Sequence, residues 1–344
     1  MKKRKITSGL SKRDLALPTV GFVMISYNDE AIISECLKSI YEQSYPKDKI
    51  YVVVADGGST DNTLLIIKKY GGKVLERPDL KDKPYKRGEI AAASLKTDLI
   101  VAFSADNRLQ EKNCLKEMAQ VFSDQNIVGA ETLRYGYRKS DPLLARYFAL
   151  IGGADPIAIG LGKADRGPYD SNKWHTFGKA EDKGKYFEVT FEPKPNNIPT
   201  LGGNGFIVRR SALETVGGLR NSLHIDACVR LIQGGHNKFA FIKNNHVIHY
   251  INMPTIKFIK RRIFWADLYT QKDIKRDYKV FYRHDLPKLI FLILAYITFI
   301  QPLVRAIKGY IRKPDFAWFL HVVMCPVFVA GYGYTVLKGI FKRV

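Results

Sequence analysis

The chain has 344 residues, of which 46% are apolar, and a formal net charge of +22 at pH 7. This size and apolar content fit one large α/β domain with additions, or two domains, folded around a core. Its four cysteines lie far apart without a CxxC or Cys/His cluster, which argues against a disulfide framework or a structural zinc site. The charge suits phosphorylated substrates or an anionic membrane surface. Nucleic acid is not expected as a partner, because zinc-finger, RNA-binding and basic-zipper patterns are missing from the sequence.

Residues 1–18 form a basic N-terminal arm with six lysines and arginines. The pattern is typical of a solvated tail, and a weak contact with a membrane surface is the alternative.

The next hundred residues alternate between short apolar runs and helical patterns. The apolar runs are Val20–Ser26, Ile50–Ala55, Lys73–Glu76 and Leu99–Phe103. Helices are predicted after the first run, over Asn62–Tyr70 and over Tyr85–Leu95. This alternation predicts a doubly wound, mostly parallel α/β sheet.

Three of the predicted strands end in carboxylates: Asp29 and Glu30 after the first, Asp56 after the second and Asp106 after the fourth. Ligands bind at the carboxyl edge of open α/β sheets, so these residues predict a ligand site there. Asp106 is suited to holding a divalent cation against a diphosphate. The alternative is that Asp106 and Asn107 cap a helix that begins near Gln110.

The ordered segments VMISYNDE, VVADGGSTDNT and AFSADN are followed by LGGNGFIVRR and VGGL. Together they resemble the family 2 inverting glycosyltransferases, which have the GT-A fold, over roughly Pro18–Tyr250. The resemblance implies transfer of a sugar from a nucleotide-diphosphate donor of the UDP or GDP type, with Mn²⁺ or Mg²⁺ as cofactor.

The resemblance assigns donor-binding roles to residues of the first strands and the helix after the third. Asp56 corresponds to the carboxylate that contacts the nucleobase, and Tyr27 and Glu30 would flank the same base. For Asp56 the alternative is an Asx-turn that shapes the Asp-Gly-Gly bend. Arg87 would pair with a phosphate, or else lie on a solvated helix face.

The metal assignment rests on Asp106, which matches the second carboxylate of the family's Asp-x-Asp motif. Ser104 occupies the first position, which departs from that motif and weakens the expected metal affinity. His249 is a candidate second ligand, with a purely structural histidine as the alternative.

The chemistry also needs a general base to deprotonate the acceptor. Asp226 is the only carboxylate between the VGGL segment and Arg230-Leu231, so it is the candidate base, with His224 as a less favoured helper. The alternative is that Asp226 is the N-cap of a helix over Ala227–Gln233, and one residue can do both.

Residues 150–200 leave the shared pattern and predict a long loop segment over the sugar or acceptor. The candidate acceptor contacts in and after this insertion are Asp155, Asp165, Arg166, Trp174, Gly203 and Asn204. A surface insertion without catalytic meaning is the alternative.

A basic, aromatic segment over residues 256–285 follows the predicted catalytic domain, which spans 19–255. Arg261 and Arg262 are expected to neutralise the leaving diphosphate. The alternative is an amphipathic helix at a membrane surface.

Residues 286–344 contain two apolar segments and are predicted to associate with a membrane, with the catalytic domain facing the cytoplasm. Leu289–Val304 has 16 residues, fewer than the ~20 that a spanning helix needs. Two full spans would place the basic loop 305–313 outside, so the first segment is expected to lie in the interface or to re-enter. The alternative is that both helices are buried on the globular domain.

The sequence thus predicts an inverting, membrane-associated glycosyltransferase with a lipid-linked or surface-glycan acceptor. A nucleotidyltransferase on a similar sheet and a non-catalytic scaffold with a degenerate site are the alternatives.

Overall fold

The structure is a computed structural model that describes residues 17–194, 197–219, 224–270, 277–278 and 281–341. The predicted basic arm lies outside the described residues except for its last two positions.

A single sheet of ten strands forms the centre of the described chain. The strands are β1 (Val20–Ser26), β2 (Ile50–Asp56), β3 (Lys73–Glu76), β4 (Leu99–Ala102), β5 (Asn107–Leu109), β6 (Ile127–Gly136), β7 (Lys179–Asp182), β8 (Tyr186–Thr190), β9 (Phe206–Arg209) and β10 (Lys238–His249). Their order is β3-β2-β1-β4-β9-β6-β10-β8-β7, with β5 pairing with β10.

The N-terminal half of the sheet is parallel, as predicted. β1 pairs in parallel with both β2 and β4, and β2 with β3. β9 then inserts antiparallel between β4 and β6, so the complete sheet is mixed. The arrangement is that of a GT-A fold, and the first four strands match the predicted apolar runs to within one residue.

Twelve α-helices surround and extend the sheet in the described residues. They are α1 (Glu30–Tyr41), α2 (Thr63–Lys69), α3 (Pro84–Ala93), α4 (Cys114–Gln120), α5 (Leu143–Ile151), α6 (Pro156–Gly160), α7 (Arg210–Thr215), α8 (His224–Gln233), α9 (Thr255–Thr270), α10 (Leu286–Ile297), α11 (Ile300–Arg312) and α12 (Leu320–Phe341).

Both faces of the sheet are covered, because alternate residues of each central strand enter opposite cores. On β1, Phe22 and Met24 belong to the core that contains Ile33 of α1. Val23 belongs to the other core, which contains Ala91 of α3. This two-sided burial explains why the parallel strands read as continuous apolar runs.

Two local predictions are wrong. The expected helix near Gln110 does not form: Asn107 begins β5, which pairs with β10, and the next helix starts at Cys114. Asp106 and Asn107 are therefore not a helix cap. Residues 150–200 are also not one long loop, because β7 and β8 extend the main sheet through pairing of β8 with β10.

A third core joins the insertion to the C-terminal helices. Tyr147 of α5, Tyr296 of α10 and Trp318 are fully buried in it. Arg146 also forms an ion pair of 2.8 Å with Asp315, which precedes Trp318. Helices α5 and α6 therefore pack on α10–α12 and anchor them to the catalytic domain.

Two described helical segments are long and apolar enough to cross a membrane, Leu143–Gly160 and Phe316–Thr335. The first is mostly buried in the third core, and the second is mostly exposed. The segment before it is broken, since α10 and α11 meet at an angle of 79°. Phe299 makes this corner with φ of 62°, in the left-handed region. The break matches the prediction of a first segment that is not a simple span.

Candidate active site

A cleft of about 1810 Å³ lies between the carboxyl edge of the sheet and the helices of the third core. Asp106 and Asn204 line it from the sheet side, and Asp155 and Asp165 line it from the insertion. His249 at the end of β10 completes the polar end. Carboxylates from separate parts of the chain thus meet at the edge where a ligand was expected.

A row of hydrogen bonds connects Asp165 to Asp106 across the polar end. The Tyr135 hydroxyl donates to Asp165 at 2.6 Å and accepts from the Asn204 amide at 2.9 Å. The Asn107 amide donates to Asn204 at 3.2 Å and to Asp106 at 3.5 Å. This row fixes the two carboxylates relative to each other.

Asp106 and His249 form a close pair, with 3.3 Å between Asp106 Oδ2 and His249 Nε2. Burial raises the pKa of Asp106, but the nearby His249 and Arg261 outweigh it, so the net effect is a lowered pKa. A carboxylate kept charged beside an imidazole suits a divalent cation. The described residues contain no group of three or more His, Cys, Asp or Glu that would hold a metal by itself. A cation on this pair would complete its shell with substrate oxygens and water, as Mg²⁺ usually does.

Asp165, from the insertion, is another carboxylate that lines the cleft. Burial raises its pKa, although Arg166 and the hydroxyl of Tyr135 act in the opposite direction. A carboxylate with a raised pKa is a stronger base than a solvated one. Its position at the cleft and its raised pKa therefore suit general-base chemistry.

Arg166, next to Asp165, is fully buried and does not line the cleft. It forms an ion pair with Glu131 inside β6. Its guanidinium also donates to the carbonyls of Gly203 at 3.5 Å and Asn204 at 3.3 Å. Arg166 thus holds the Gly203-Asn204 turn, where Asn204 adopts a φ of 50°.

Asp155 caps α6 with its Oδ1, which accepts from the amides of Ile157 and Ala158. Its Oδ2 lies 2.5 Å from the hydroxyl of Tyr332 and 3.7 Å from Arg262. Asp155 therefore joins the insertion to α9 and α12 at the wall of the cleft.

Residues 22–217 match the sequence profile of "Glycosyl transferase family 2". The chain belongs to this family. The match covers β1 to the end of α7 and includes the strand ends that bear Asp56 and Asp106.

Curated relatives support the family over shorter stretches. "Poly(ribitol-phosphate) beta-N-acetylglucosaminyltransferase TarS" of Staphylococcus aureus is 32% identical over 108 residues, which is 30% of this chain and 18% of TarS. "Probable glycosyltransferase YdaM" of Bacillus subtilis is 22% identical over 209 residues, 59% of this chain and 43% of YdaM. The chain thus spans less than half the length of these relatives.

Among solved structures, the mannosyltransferase PcManGT from Pyrobaculum calidifontis, in complex with GDP-Man and Mn²⁺, has a similar fold. Its TM-score is 0.55 at 17% identity, covering 94% of this chain and 89% of that one. This likeness supports the assignment of the GT-A fold.

The donor-side residues of this family 2 chain are arranged differently from the prediction at two positions. Asp56 is fully buried, and its carboxylate accepts from the amides of Gly58 and Ser59, both at 2.7 Å. The Asx-turn, given as the alternative, is therefore the role that the structure displays. Arg87 is also buried and donates to the carbonyls of Ser26 and Ala55, which ties the ends of β1 and β2 together. This buried position of Arg87 contradicts both of its predicted roles, a contact with a phosphate and a place on a solvated helix face.

Tyr27 and Glu30 lie on the surface beside the same turn. The ring of Tyr27 is 38% exposed and lies 4.4 Å from the Lys81 ammonium. Glu30 accepts from the amide of Asn62 at 2.6 Å. They are accessible at the sheet edge, outside the residues that line the cleft, and their contact with a base stays a prediction.

Asp226 does not occupy the position of a base. It is fully buried in the first turn of α8, and neighbours on either side line the cleft while Asp226 does not. Its Oδ1 accepts from the backbone amides of Asp277 at 3.0 Å and Tyr278 at 2.9 Å. The helix begins at His224, so Asp226 is not the N-cap either. Its observed role is to hold the chain at 277–278 against α8.

Two of the predicted acceptor contacts, Arg166 and Trp174, do not line the cleft; Arg166 has the buried position described above, and Trp174 packs on the sheet. Its ring packs edge-on against Phe241, with centroids 4.7 Å apart, and its indole donates to the carbonyl of Phe177. It therefore packs on the sheet. Gly203, Asn204, Arg261 and Arg262 line the cleft, and their predicted contacts with acceptor and donor stay predictions.

The sequence analysis did not predict Tyr135 as a site residue, and it did not predict a role at the site for Asn107. Tyr135 lies in the buried strand β6, where an aromatic residue is ordinarily part of a core, so no local pattern marks it. Asn107 was considered only as a helix cap. Both become recognisable only when β6, β5 and the Asn204 turn are brought together.

Proposed function

We propose that this chain is an inverting glycosyltransferase that uses a UDP- or GDP-type sugar donor and a lipid-linked or surface-glycan acceptor. Membership of family 2 supports the reaction class. The observation that carries the proposal is the cleft itself, in which the pair Asp106–His249 and the carboxylate Asp165 are joined by one hydrogen-bonded row.

Asp106 and His249 would hold a Mn²⁺ or Mg²⁺ ion. Such an ion, when bound, offsets the negative charge of the donor diphosphate and of the leaving group. The complex of PcManGT with GDP-Man and Mn²⁺ supports this cofactor. Arg261, which lines the cleft and lowers the pKa of Asp106, would add a positive charge beside the same diphosphate.

Asp165 replaces Asp226 as our candidate base. In the proposed reaction the acceptor hydroxyl gives its proton to Asp165 while its oxygen bonds to the anomeric carbon. The bond from that carbon to the diphosphate oxygen breaks, and its electron pair leaves with the nucleoside diphosphate. Tyr135, which donates to Asp165, keeps the carboxylate oriented toward the acceptor. Arg166 acts as a positioning residue beneath it.

Tyr27 and Glu30 remain candidates for the nucleobase, because they lie exposed at the ends of β1 and α1. A nucleobase stacked on Tyr27 would share the ring with Lys81, a favourable arrangement for an anionic nucleotide.

We further propose that α10–α12 attach the protein to the cytoplasmic face of a membrane. Phe291, Ile300, Ile311 and Phe316 are each at least two-thirds exposed. Exposed apolar patches of this kind mark interaction surfaces. Lys308 and Arg312, on the same amphipathic helix α11, are placed to meet anionic head groups.

A matched pair of variants tests the assignment of the base. Asp165→Asn is expected to lower sugar transfer by about 10²-fold or more without loss of donor binding. Asp226→Asn keeps an oxygen for the amides of residues 277 and 278, so transfer is expected to stay within a few-fold of the wild type. The reverse ranking would restore Asp226 as the base. No donor turnover by the wild type with either cation would support a non-catalytic scaffold, and release of pyrophosphate from an added nucleoside triphosphate and sugar phosphate would indicate a nucleotidyltransferase.

A further inference from the structure

The cleft is too large and too apolar for a nucleotide sugar alone. Pockets for small ligands usually measure about 300–1,000 Å³, whereas this cleft measures about 1810 Å³. Its polar groups are concentrated near Asp106 and Asp165. Away from that end the walls are apolar. One is formed by Phe148 of α5, Ile157 of α6 and Leu289, Ile293 and Val329 of the C-terminal helices, and another by Val208 of β9 and Cys228 and Leu231 of α8.

On the side of the C-terminal helices, a single layer of helices separates the cleft from the outer surface of the protein. On α10, Leu289 and Ile293 face the cleft, whereas Phe291 and Leu294 on the same helix are 71% and 56% exposed. The inner apolar surface is therefore backed by the outer one that we assign to the membrane. A water-soluble glycan would leave the inner wall without an apolar partner, at a cost proportional to its area.

Positive charge lies where the apolar wall meets the polar end. Arg261 and Arg262 of α9 both line the cleft, and Arg262 is 3.7 Å from Asp155. Asp155 also accepts a hydrogen bond from Tyr332 of α12. The Arg262 guanidinium therefore lies where the C-terminal helices meet the carboxylates of the cleft.

We infer that the acceptor is lipid-linked, with a long apolar chain along the α10–α12 wall, joined through a phosphate at Arg262 to the head group that carries the accepting hydroxyl, while Arg261 stays with the donor diphosphate. This rests on the proposed function and selects one of its two acceptor classes. The apolar chain of the lipid enters the cleft from the membrane side, and the head group of the lipid reaches Asp165.

Gly333 of α12 offers a specific way to block this path. It lines the cleft, and a Cβ built on it meets no atom within 4 Å. Gly333→Phe therefore adds a ring in open space, and it removes a glycine from a helix, which favours folding. Val323→Phe, at a 55% exposed site on the same helix, is the matched control.

The probe is a dodecyl phosphate with a diazirine at the chain end, photo-crosslinked to the purified full chain and mapped by mass spectrometry. We expect labels on the inner residues Leu289, Ile293 and Val329. Unlabelled dodecyl phosphate should compete at least 30-fold better than hexyl phosphate, because each buried CH₂ contributes about fourfold in affinity. Dodecanol should compete at least tenfold less well than dodecyl phosphate, and inorganic phosphate should not compete.

Gly333→Phe should reduce the inner labels at least tenfold and Val323→Phe should not. If Gly333→Phe does not fold, Ile293→Gln provides the same comparison. Labels confined to outer residues such as Phe291, or equal competition by hexyl and dodecyl phosphate, would overturn the inference. Equal competition by dodecanol would show that the phosphate does not contribute to binding, and the phosphate contact would then be dropped from the inference. Nucleotide-sugar binding with Mn²⁺ is measured on the same preparations, so its absence beside normal inner labelling would instead count against the proposed function.

Discussion

Replacing Asp106 with Asn is the most direct test of the donor site. The substitution keeps the shape of the side chain but removes the charge that faces His249 at 3.3 Å and that Arg261 helps to stabilise. Because the described residues offer no group of three or more metal-binding side chains, the loss of one carboxylate leaves little to hold a cation. We expect metal-dependent donor affinity to fall by at least about 100-fold, since even residues behind the ligands contribute 10–100-fold.

The size of the effect follows from binding linkage. A donor at 100 times its Kd stabilises the folded protein by about 2.7 kcal/mol. If Asp106→Asn weakens the Kd 100-fold, the same donor concentration equals the new Kd, and stabilisation falls to RT ln 2, about 0.4 kcal/mol. Thermal unfolding of the wild type and variant, with UDP- and GDP-sugars and with Mn²⁺ or a chelator, measures this difference.

Asp98→Asn is the matched control, because Asp98 precedes β4 at the opposite end from Asp106. Its carboxylate accepts from the amide and hydroxyl of Thr19, both at 2.7 Å, far from the cleft edge. This variant is expected to be somewhat less stable than the wild type. Donor and Mn²⁺ should nevertheless raise its free energy of unfolding by as much as they raise that of the wild type. An unchanged increment in Asp106→Asn would refute the metal assignment, and an equal loss in Asp98→Asn would show that the assay reports general destabilisation.

Three further expectations concern stability and topology. Arg166→Leu should destabilise the protein by about 1–3 kcal/mol because it leaves the buried Glu131 carboxyl, whose pKa burial already raises to about 8, without its partner, and Glu131→Leu in the same chain should recover most of this loss in denaturant titrations; no recovery would contradict the pairing. Burial lowers the pKa of His175 to about 3, so only the unfolded chain gains a proton as the pH falls below about 6.5. The wild type should therefore lose about 1 kcal/mol more than His175→Gln between pH 7 and pH 5.5, and equal losses would be inconsistent with a buried neutral ring. Lys308→Cys should resist an impermeant thiol reagent on intact cells, whereas strong labelling from outside would indicate two complete spans, and recovery of the wild type in the soluble fraction would exclude membrane attachment.

The parallel half of the fold could be predicted because its signals are local. Each central strand is buried on both faces, which makes it a short continuous apolar run, and each run is followed by a helical pattern. The carboxyl edge of such a sheet is a property of the topology, so the strand end predicted that Asp106 lies at this edge, although the strand end alone left a helix cap as an equal alternative. Segment length and the charges of residues 305–313 predicted that the first apolar segment is not a simple span, but the place of its break, at Phe299, was not predicted.

The other half of the sheet, which mixes parallel and antiparallel pairs, could not be predicted in the same way. β7 and β8 are short, and their place in the sheet depends on pairing with β10, some fifty residues later. A strand at the edge of a sheet carries a weaker apolar signal than a central one, so residues 179–190 were interpreted as part of a loop.

The sequence by itself determined which residue types were available at the site, and only the tertiary structure decided which of them face the cleft. Asp56, Arg87 and Asp226 have the chemistry that the family requires, yet each is buried and bound to backbone groups. The position of Asp165 is fixed by a hydrogen bond from Tyr135, which in turn accepts one from Asn204, and both residues are far from Asp165 in the chain. The physical reason is that a polar side chain must be satisfied when it is buried, and its partners come from whatever backbone the fold brings near it. Long-range packing therefore determines which partners a buried polar side chain has, and a local sequence pattern does not contain this information.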